Sequence, residues 1–185
     1  MSERWRCFVA VPIGDALRDA LAQATSAWAA RMRAADLRWT DPAGWHVTLA
    51  FLGDVDAGRV PGIAERLPGL VGRQPTIALV GEGLVRWPHE DEARMAWCTF
   101  RPDSGLGELH NRVAGGLGVT ERRRFRPHVT LARVRGGRTA RLAPPPPIPL
   151  PVSTVDQVVL FRSHPDPAGT TYEPLASVRM EAVPA

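Results

Sequence analysis

His46-Val47-Thr48-Leu49-Ala50 and His128-Val129-Thr130-Leu131-Ala132 are the same five residues written twice, 82 positions apart in a chain of 185. Five histidines make ten pairs, and the chance that any pair shares its next four residues is roughly one in a thousand at this composition. Repetition at about half the chain length implies duplication, with two equivalent segments brought face to face. Both copies read as strands, and each follows a chain-turning element: Asp41-Pro42-Ala43-Gly44 before the first, Pro127 before the second.

A side-chain period of two sends His46 and Thr48 to one face of a strand and Val47 and Leu49 to the other. The apolar pair must bury itself, which leaves His and Thr about 7 Å apart along a cleft wall. Two such strands supply two imidazoles and two hydroxyls to one cavity. That set suits a phosphate held from both sides. Thr48 and Thr130 would donate to its non-bridging oxygens, while His46 and His128 take the attacking and leaving sides. An imidazole titrates near pH 6.5, so one ring can accept a proton while the other gives one up. The symmetry leaves open which is acid and which is base.

Outward from the repeat, residues 5–12 read as a buried strand ending at Pro12. Leu17, Leu21, Trp28 and Met32 give residues 14–34 a helical apolar face. A short strand is expected at 37–40, the first motif strand at 46–53, and a helix at 58–67. Strands should follow near 76–80 and 94–100, then a weaker helix at 104–117 and the second motif strand at 128–134. Pro144 to Pro151 holds six prolines in eight residues, an extended polyproline connection. Two last strands, 154–161 and 171–180, flank a turn from His164 to Gly169. Strand-helix-strand-strand recurs in both halves, which favours an α+β domain of two similar lobes over residues 1–185.

Composition narrows the chemistry. All 23 basic residues are arginine, against 19 acidic ones, giving a net charge of +4 and a pI near 10.3. Guanidinium offers a bidentate fork to phosphate, so an arginine-only surface suits phosphate-bearing partners, although codon bias gives the same composition. With no lysine there is no Walker A lysine, no Schiff base and no lysine to carry a nucleotidyl group. Cys7 and Cys98 lie far apart in apolar runs, as two buried thiols of a reducing compartment would. The N-terminal apolar run is too short for a membrane span, so a cytoplasmic chain is expected. No carboxylate or histidine cluster accompanies the motifs, so neither a metal nor another cofactor is expected. Nothing calls for a second copy, and a monomer is expected.

At these residues the chain resembles the 2H phosphoesterase superfamily, and within it the RNA 2′,3′-cyclic phosphodiesterases, also called 2′-5′ RNA ligases. The likeness runs from Arg6-Cys7-Phe8-Val9-Ala10-Val11 through Trp45 to Gly53 and Phe125 to Arg133. It continues in Leu160-Phe161-Arg162-Ser163 and Tyr172-Glu173-Pro174-Leu175. The resemblance implies two lobes, each an antiparallel sheet with helices outside, around a central groove. It implies hydrolysis of an RNA 2′,3′-cyclic phosphate end to a 2′-phosphate, with His46 as general acid and His128 as general base. It points to Arg133 as a phosphate contact and Phe8 as a base-stacking ring. Strict alternation opposes Arg133 and favours Arg126 as its geometric rival. Arg133 reaches the His128 face only if the strand ends, twists or bulges before it. Core packing is the plainer role for Phe8.

Four other readings stand beside this one. The same histidines run the reverse, 2′-5′ ligation, and related proteins take small cyclic nucleotides. A non-catalytic RNA or nucleotide-binding module would keep the groove, but binding alone would tolerate arginine in place of the histidines. A metal hydrolase would lose activity with chelator.

Overall fold

A computed structural model describes residues 2–32, 37–101, 104–120, 124–166 and 169–181. The end of the expected first helix, Arg122 and Arg123, and residues 167–168 of the expected turn lie outside them. In chain order the elements are β1 (Arg4–Pro12), α1 (Asp15–Ala29), β2 (Leu37–Trp39), β3 (His46–Asp56), α2 (Val60–Val71), β4 (Ile77–Leu79) and β5 (Gly81–Pro88). There follow β6 (Ala93–Phe100), α3 (Ser104–Gly116), β7 (His128–Val134), β8 (Ser153–Val155), β9 (Gln157–Pro165) and β10 (Thr170–Arg179).

The strands form two four-stranded antiparallel sheets, in the orders β10-β9-β1-β3 and β2-β7-β6-β5, plus a small β4-β8 pair. Each large sheet carries one motif strand, and β3 and β7 approach each other across the middle of the molecule. α3 lies against β3, and α2 against α3 and β10. α1 sets Trp28 edge-on against Trp39 of β2 and donates the Trp28 indole N–H to the Ala143 carbonyl, 2.9 Å away. Val47, Leu49, Val129 and Leu131 all lie in one apolar core with residues of α1, α2 and α3. The α+β architecture of two antiparallel lobes with helices against them is therefore present.

The lobes are not the two halves of the chain. β2 crosses into the second sheet, and β9 and β10 return from the far end to complete the first. Three further differences from the sequence reading have local causes. α1 closes earlier than expected, its last turn tightened by i→i−3 bonds from Arg31 to Trp28 and from Met32 to Ala29. α2 runs through Pro68 to Val71, and both Leu67 and Val71 are fully buried. β5 was not expected as a strand. It buries only Leu84, and a register shift between Gly81 and Gly83 breaks any alternation.

The polyproline segment has no helix or strand and links β7 to β8. Its start is anchored by Arg86, whose Nη1 donates to the Leu142 carbonyl at 3.1 Å. Its end lies on Gly81, where a Cβ would meet Leu150 Cδ1 at 2.4 Å and Cβ at 2.8 Å. Gly81→Ala should therefore cost about 1–3 kcal/mol by overpacking. Leu150→Ala in the same background should return part of the loss, read as the shift in urea midpoint.

Candidate functional site

The motif strands hold their imidazoles by the same local device. His46 Nδ1 donates to the Gly44 carbonyl at 2.6 Å, and His128 Nδ1 donates to the Arg126 carbonyl at 2.8 Å. Each bond ties the ring two residues back along its own chain, fixes the tautomer and leaves the Nε2 lone pair uncommitted to it. Each ring also rests on an aromatic of the neighbouring strand. His46 stacks on Phe8 of β1 at 4.8 Å between centroids, with Tyr172 edge-on at 5.1 Å. His128 stacks on Trp97 of β6 at 3.7 Å, and Trp97 on Trp87 at 4.3 Å. Thr48 and Thr130 follow their histidines on the same face, half-buried, above buried Val47, Leu49, Val129 and Leu131.

After the threonines both strands break step. Val9 pairs with Ala50 and Ala10 with Thr48, so β1 passes over Leu49. Ala96 pairs with Ala132 and Trp97 with Thr130, so β6 passes over Leu131. Each motif strand thus contains a β-bulge at the same position, which reverses the alternation beyond it. The residues that follow, Phe51 and Arg133, turn back to the histidine face. The bulge that a site role for Arg133 requires is there.

A bulge leaves the ladder short of partners, and the two copies satisfy that need differently. Buried His110 of α3 donates Nδ1 to the Leu49 carbonyl at 2.6 Å, its ring stacked on Phe125 at 4.1 Å. On the other side the Thr40 amide donates to the Leu131 carbonyl at 2.9 Å. The Thr40 hydroxyl shares its proton between the Thr130 and Leu131 carbonyls, at 2.7 and 2.9 Å, while accepting from the Trp45 indole at 2.8 Å. Trp45 immediately precedes His46, so Thr40 links the two motifs directly.

The electrostatics is that of a basic, partly dry groove. Burial pulls His46 down to about 4, with the charges of His128 and Arg133 adding to it and the Gly44 carbonyl opposing. Burial and Arg133 lower His128 too, against its Arg126 carbonyl. Burial likewise lowers Arg133, with Tyr172 opposing and Arg38 and Arg6 reinforcing; burial raises the Tyr172 phenol, with the same three arginines opposing. His46, His128, Arg133, Arg38, Arg6 and Tyr172 share one field.

The remaining expected residues fall as follows. Arg133 stands beside the histidines and touches Met95 Sδ at 3.1 Å. Arg126 gives its carbonyl to His128 but sets its guanidinium over Trp87, 5.0 Å from the ring centroid. Phe8 is only 3% exposed, stacked on both His46 and Phe161, so it supports the imidazole and has no free face for a base. Phe51, 55% exposed and 6.0 Å from Phe8, is the open aromatic. The sequence reading missed Phe51, Tyr172, Arg38 and Arg6 as site residues; only the bulge and the return of β10 to the first sheet bring them in. Gly44 belongs here too, since a Cβ on it would meet Tyr172 Cδ2 at 2.8 Å.

A model of the LigT like Phosphoesterase family matches residues 11–97, which include the first motif. Escherichia coli LigT, solved with 3′-AMP, superposes over 96% of this chain and 99% of its own at a TM-score of 0.74 and 26% identity. The chain is thus similar to the LigT-like phosphoesterases in sequence over residues 11–97 and in fold over nearly its whole length. Its relatives include proteins named RNA 2′,3′-cyclic phosphodiesterase. That of Geobacillus stearothermophilus is 28% identical over 194 aligned positions, covering 98% of this chain and 59% of the relative. That of Aeropyrum pernix is 32% identical over 109, covering 55% of this chain and 60% of the relative. The chain thus spans about three-fifths of the length of these two relatives. Among the described residues no helix is long and apolar enough to cross a membrane, and no three His, Cys, Asp or Glu side chains converge as metal ligands.

The Thr40 link between the two motifs has a clear consequence. Thr40→Val removes the hydroxyl and strands the buried Trp45 N–H, so it should cost about 1–3 kcal/mol in thermal unfolding. Thr40→Ser should restore most of the loss.

Proposed function

We propose that the chain, as one bilobal unit, hydrolyses 2′,3′-cyclic phosphate ends of RNA to 2′-phosphates. The observation that carries this is the matched pair of imidazoles, each tethered through Nδ1 to a carbonyl two residues upstream and each within the field of Arg133. A lone histidine could bind an anion; two Nε2 atoms held alike across a groove can exchange protons with the two ends of one displacement. The names of the relatives supply the substrate class.

In the proposed step His128 Nε2 takes a proton from water as its oxygen attacks phosphorus. The P–O3′ bond breaks and protonated His46 gives its proton to the departing O3′, leaving the 2′-phosphomonoester. Thr48 and Thr130 donate to non-bridging oxygens, and Arg133 offsets the charge that gathers on them. Phe51 is the exposed aromatic able to stack on the terminal base. The same geometry run backwards, with a ribose 5′-hydroxyl in place of water, is 2′-5′ ligation. Water at about 55 M favours hydrolysis. Proton transfer rests on the imidazoles alone, without a metal. Cys7 and Cys98 are free and buried, the latter pushed up to about 12 by burial, which fits a reducing cytoplasm.

Hydrolysis of adenosine 2′,3′-cyclic phosphate in EDTA should yield the 2′-phosphate, and His46→Ala or His128→Ala should each lower kcat about 10²–10⁴-fold. A wild type inactive on both mononucleotide and oligonucleotide ends would overturn the reading. Loss of activity in EDTA would overturn its metal-free part.

Both histidines are lowered in the free protein, so the kcat/KM profile, which reports free-enzyme groups, should be a bell with its maximum below pH 6.5. As pH rises through about 4 the acid, His46, loses its proton; as pH falls through the lowered value of His128 the base is lost. A plateau from pH 6 to 8 would contradict the two-imidazole mechanism.

A further inference from the structure

Beyond the histidines the groove opens into a basin of about 480 Å³ whose charged lining consists of Arg38, Arg94, Arg133, Arg135 and Arg138. No carboxylate lines it, although the chain has 19 acidic residues to set against 23 arginines. A genome-wide arginine bias raises the arginine count but does not keep the acids away from one concavity. Among the described residues no hydrogen bond or ion pair engages the side chains of Arg38, Arg94, Arg135 or Arg138. Elsewhere arginines pair with exposed carboxylates, as Arg86 with Glu90, Arg162 with Glu3 and Arg179 with Asp156.

The backbone is shaped to keep the cluster together. β7 ends at Val134, and the chain reverses through Gly136 and Gly137, both at φ +67°. Side-chain-bearing residues adopt that region reluctantly, so two adjacent glycines permit a turn that returns Arg138 to the basin already lined by Arg135. Arg38 joins from β2, where it pairs across the ladder with Arg133. Five guanidinium groups in one concavity repel each other, and a bound polyanion relieves that repulsion. Arg133 and Arg38 connect the basin to the proposed reaction site, because Arg133 lowers both histidines and lies in the field of Arg38.

Resting on the function proposed above, we infer that this basin is a subsite for the phosphodiesters preceding the reactive end, which makes a single-stranded oligoribonucleotide, rather than a lone nucleotide, the substrate. A terminal cyclic phosphate on RNA is always followed upstream by the 5′-phosphate of the same residue and then by its neighbours. These anions need a cationic surface continuous with the site, and the volume lies within the about 300–1,000 Å³ of ligand clefts. Arg94, Arg135 and Arg138 read the backbone and not the base, so the preference is for length and charge.

The experiment compares kcat/KM on adenosine 2′,3′-cyclic phosphate with that on a tetraribonucleotide ending in the same group. The wild type should prefer the tetranucleotide at least tenfold, lose that preference when its linkages are uncharged methylphosphonates, and weaken as salt rises. Arg94→Ala/Arg138→Ala should lose at least tenfold on the tetranucleotide and less than twofold on the mononucleoside. Equal losses on both substrates, or none on either, would overturn the subsite while leaving the reaction standing. If the wild type turns over neither, the reaction is wrong, and fluorescence anisotropy of a labelled tetranucleotide ending in 2′-phosphate decides the basin. At least tenfold weaker binding by the double variant supports it; equal binding refutes it.

Discussion

The groove depends on one extra residue in each motif strand. Without the bulges at Leu49 and Leu131, plain alternation would carry Phe51 and Arg133 to the core side, where a cation has no partner and an aromatic no access. With them, each strand offers the groove an imidazole, a hydroxyl and then a third group, aromatic in one copy and cationic in the other. The two copies have therefore diverged after the threonine while keeping the same backbone. The polar cost of the irregularity is met by His110 on one side and Thr40 on the other, two residues that the motifs alone do not single out.

That geometry also governs protonation. Each imidazole is dry enough to prefer its neutral form and lies near guanidinium charge that reinforces the preference. An anion placed between the rings would reverse this balance, because it favours the imidazolium. The free groove is thus charged by its arginines, with both imidazoles biased toward the neutral form. The Nδ1 tethers hold each ring in place and keep Nε2 turned away from its own backbone carbonyl.

The repeat made the two histidines, the threonines and the pairing of lobes legible in the sequence, since an identical pentapeptide in two strand contexts leaves few arrangements. Arg133 was legible only with a conditional: alternation forbade it and the bulge supplied it. Bulges are decided by cross-strand register, which no single strand encodes. The same limit hid Phe51, Tyr172 and Arg38, whose places depend on β10 and β2 joining particular sheets. Phe8 lay in the recognised pattern, yet its ring proved to be floor and not platform, because Phe161 and Tyr172 close around it. β5 escaped for the opposite reason: its pairing with β6 stabilises a segment that has almost no apolar signal of its own.

The crossing of β2 and of β9–β10 between lobes gives the chain an unusual dependence on its own far end. During synthesis the first motif emerges early, but the wall behind its histidine, Phe161 and Tyr172, comes more than a hundred residues later. β1 has only β3 to pair with until β9 arrives, and the first sheet stays incomplete through most of translation. Its closure joins positions separated by nearly the whole chain, a high-contact-order step that slows folding. A prematurely terminated product would contain both histidine motifs yet present neither a finished sheet nor a seated His46. The topology thereby makes an ordered groove a property of a chain extended through β10, and a shorter fragment carries the motifs without their setting.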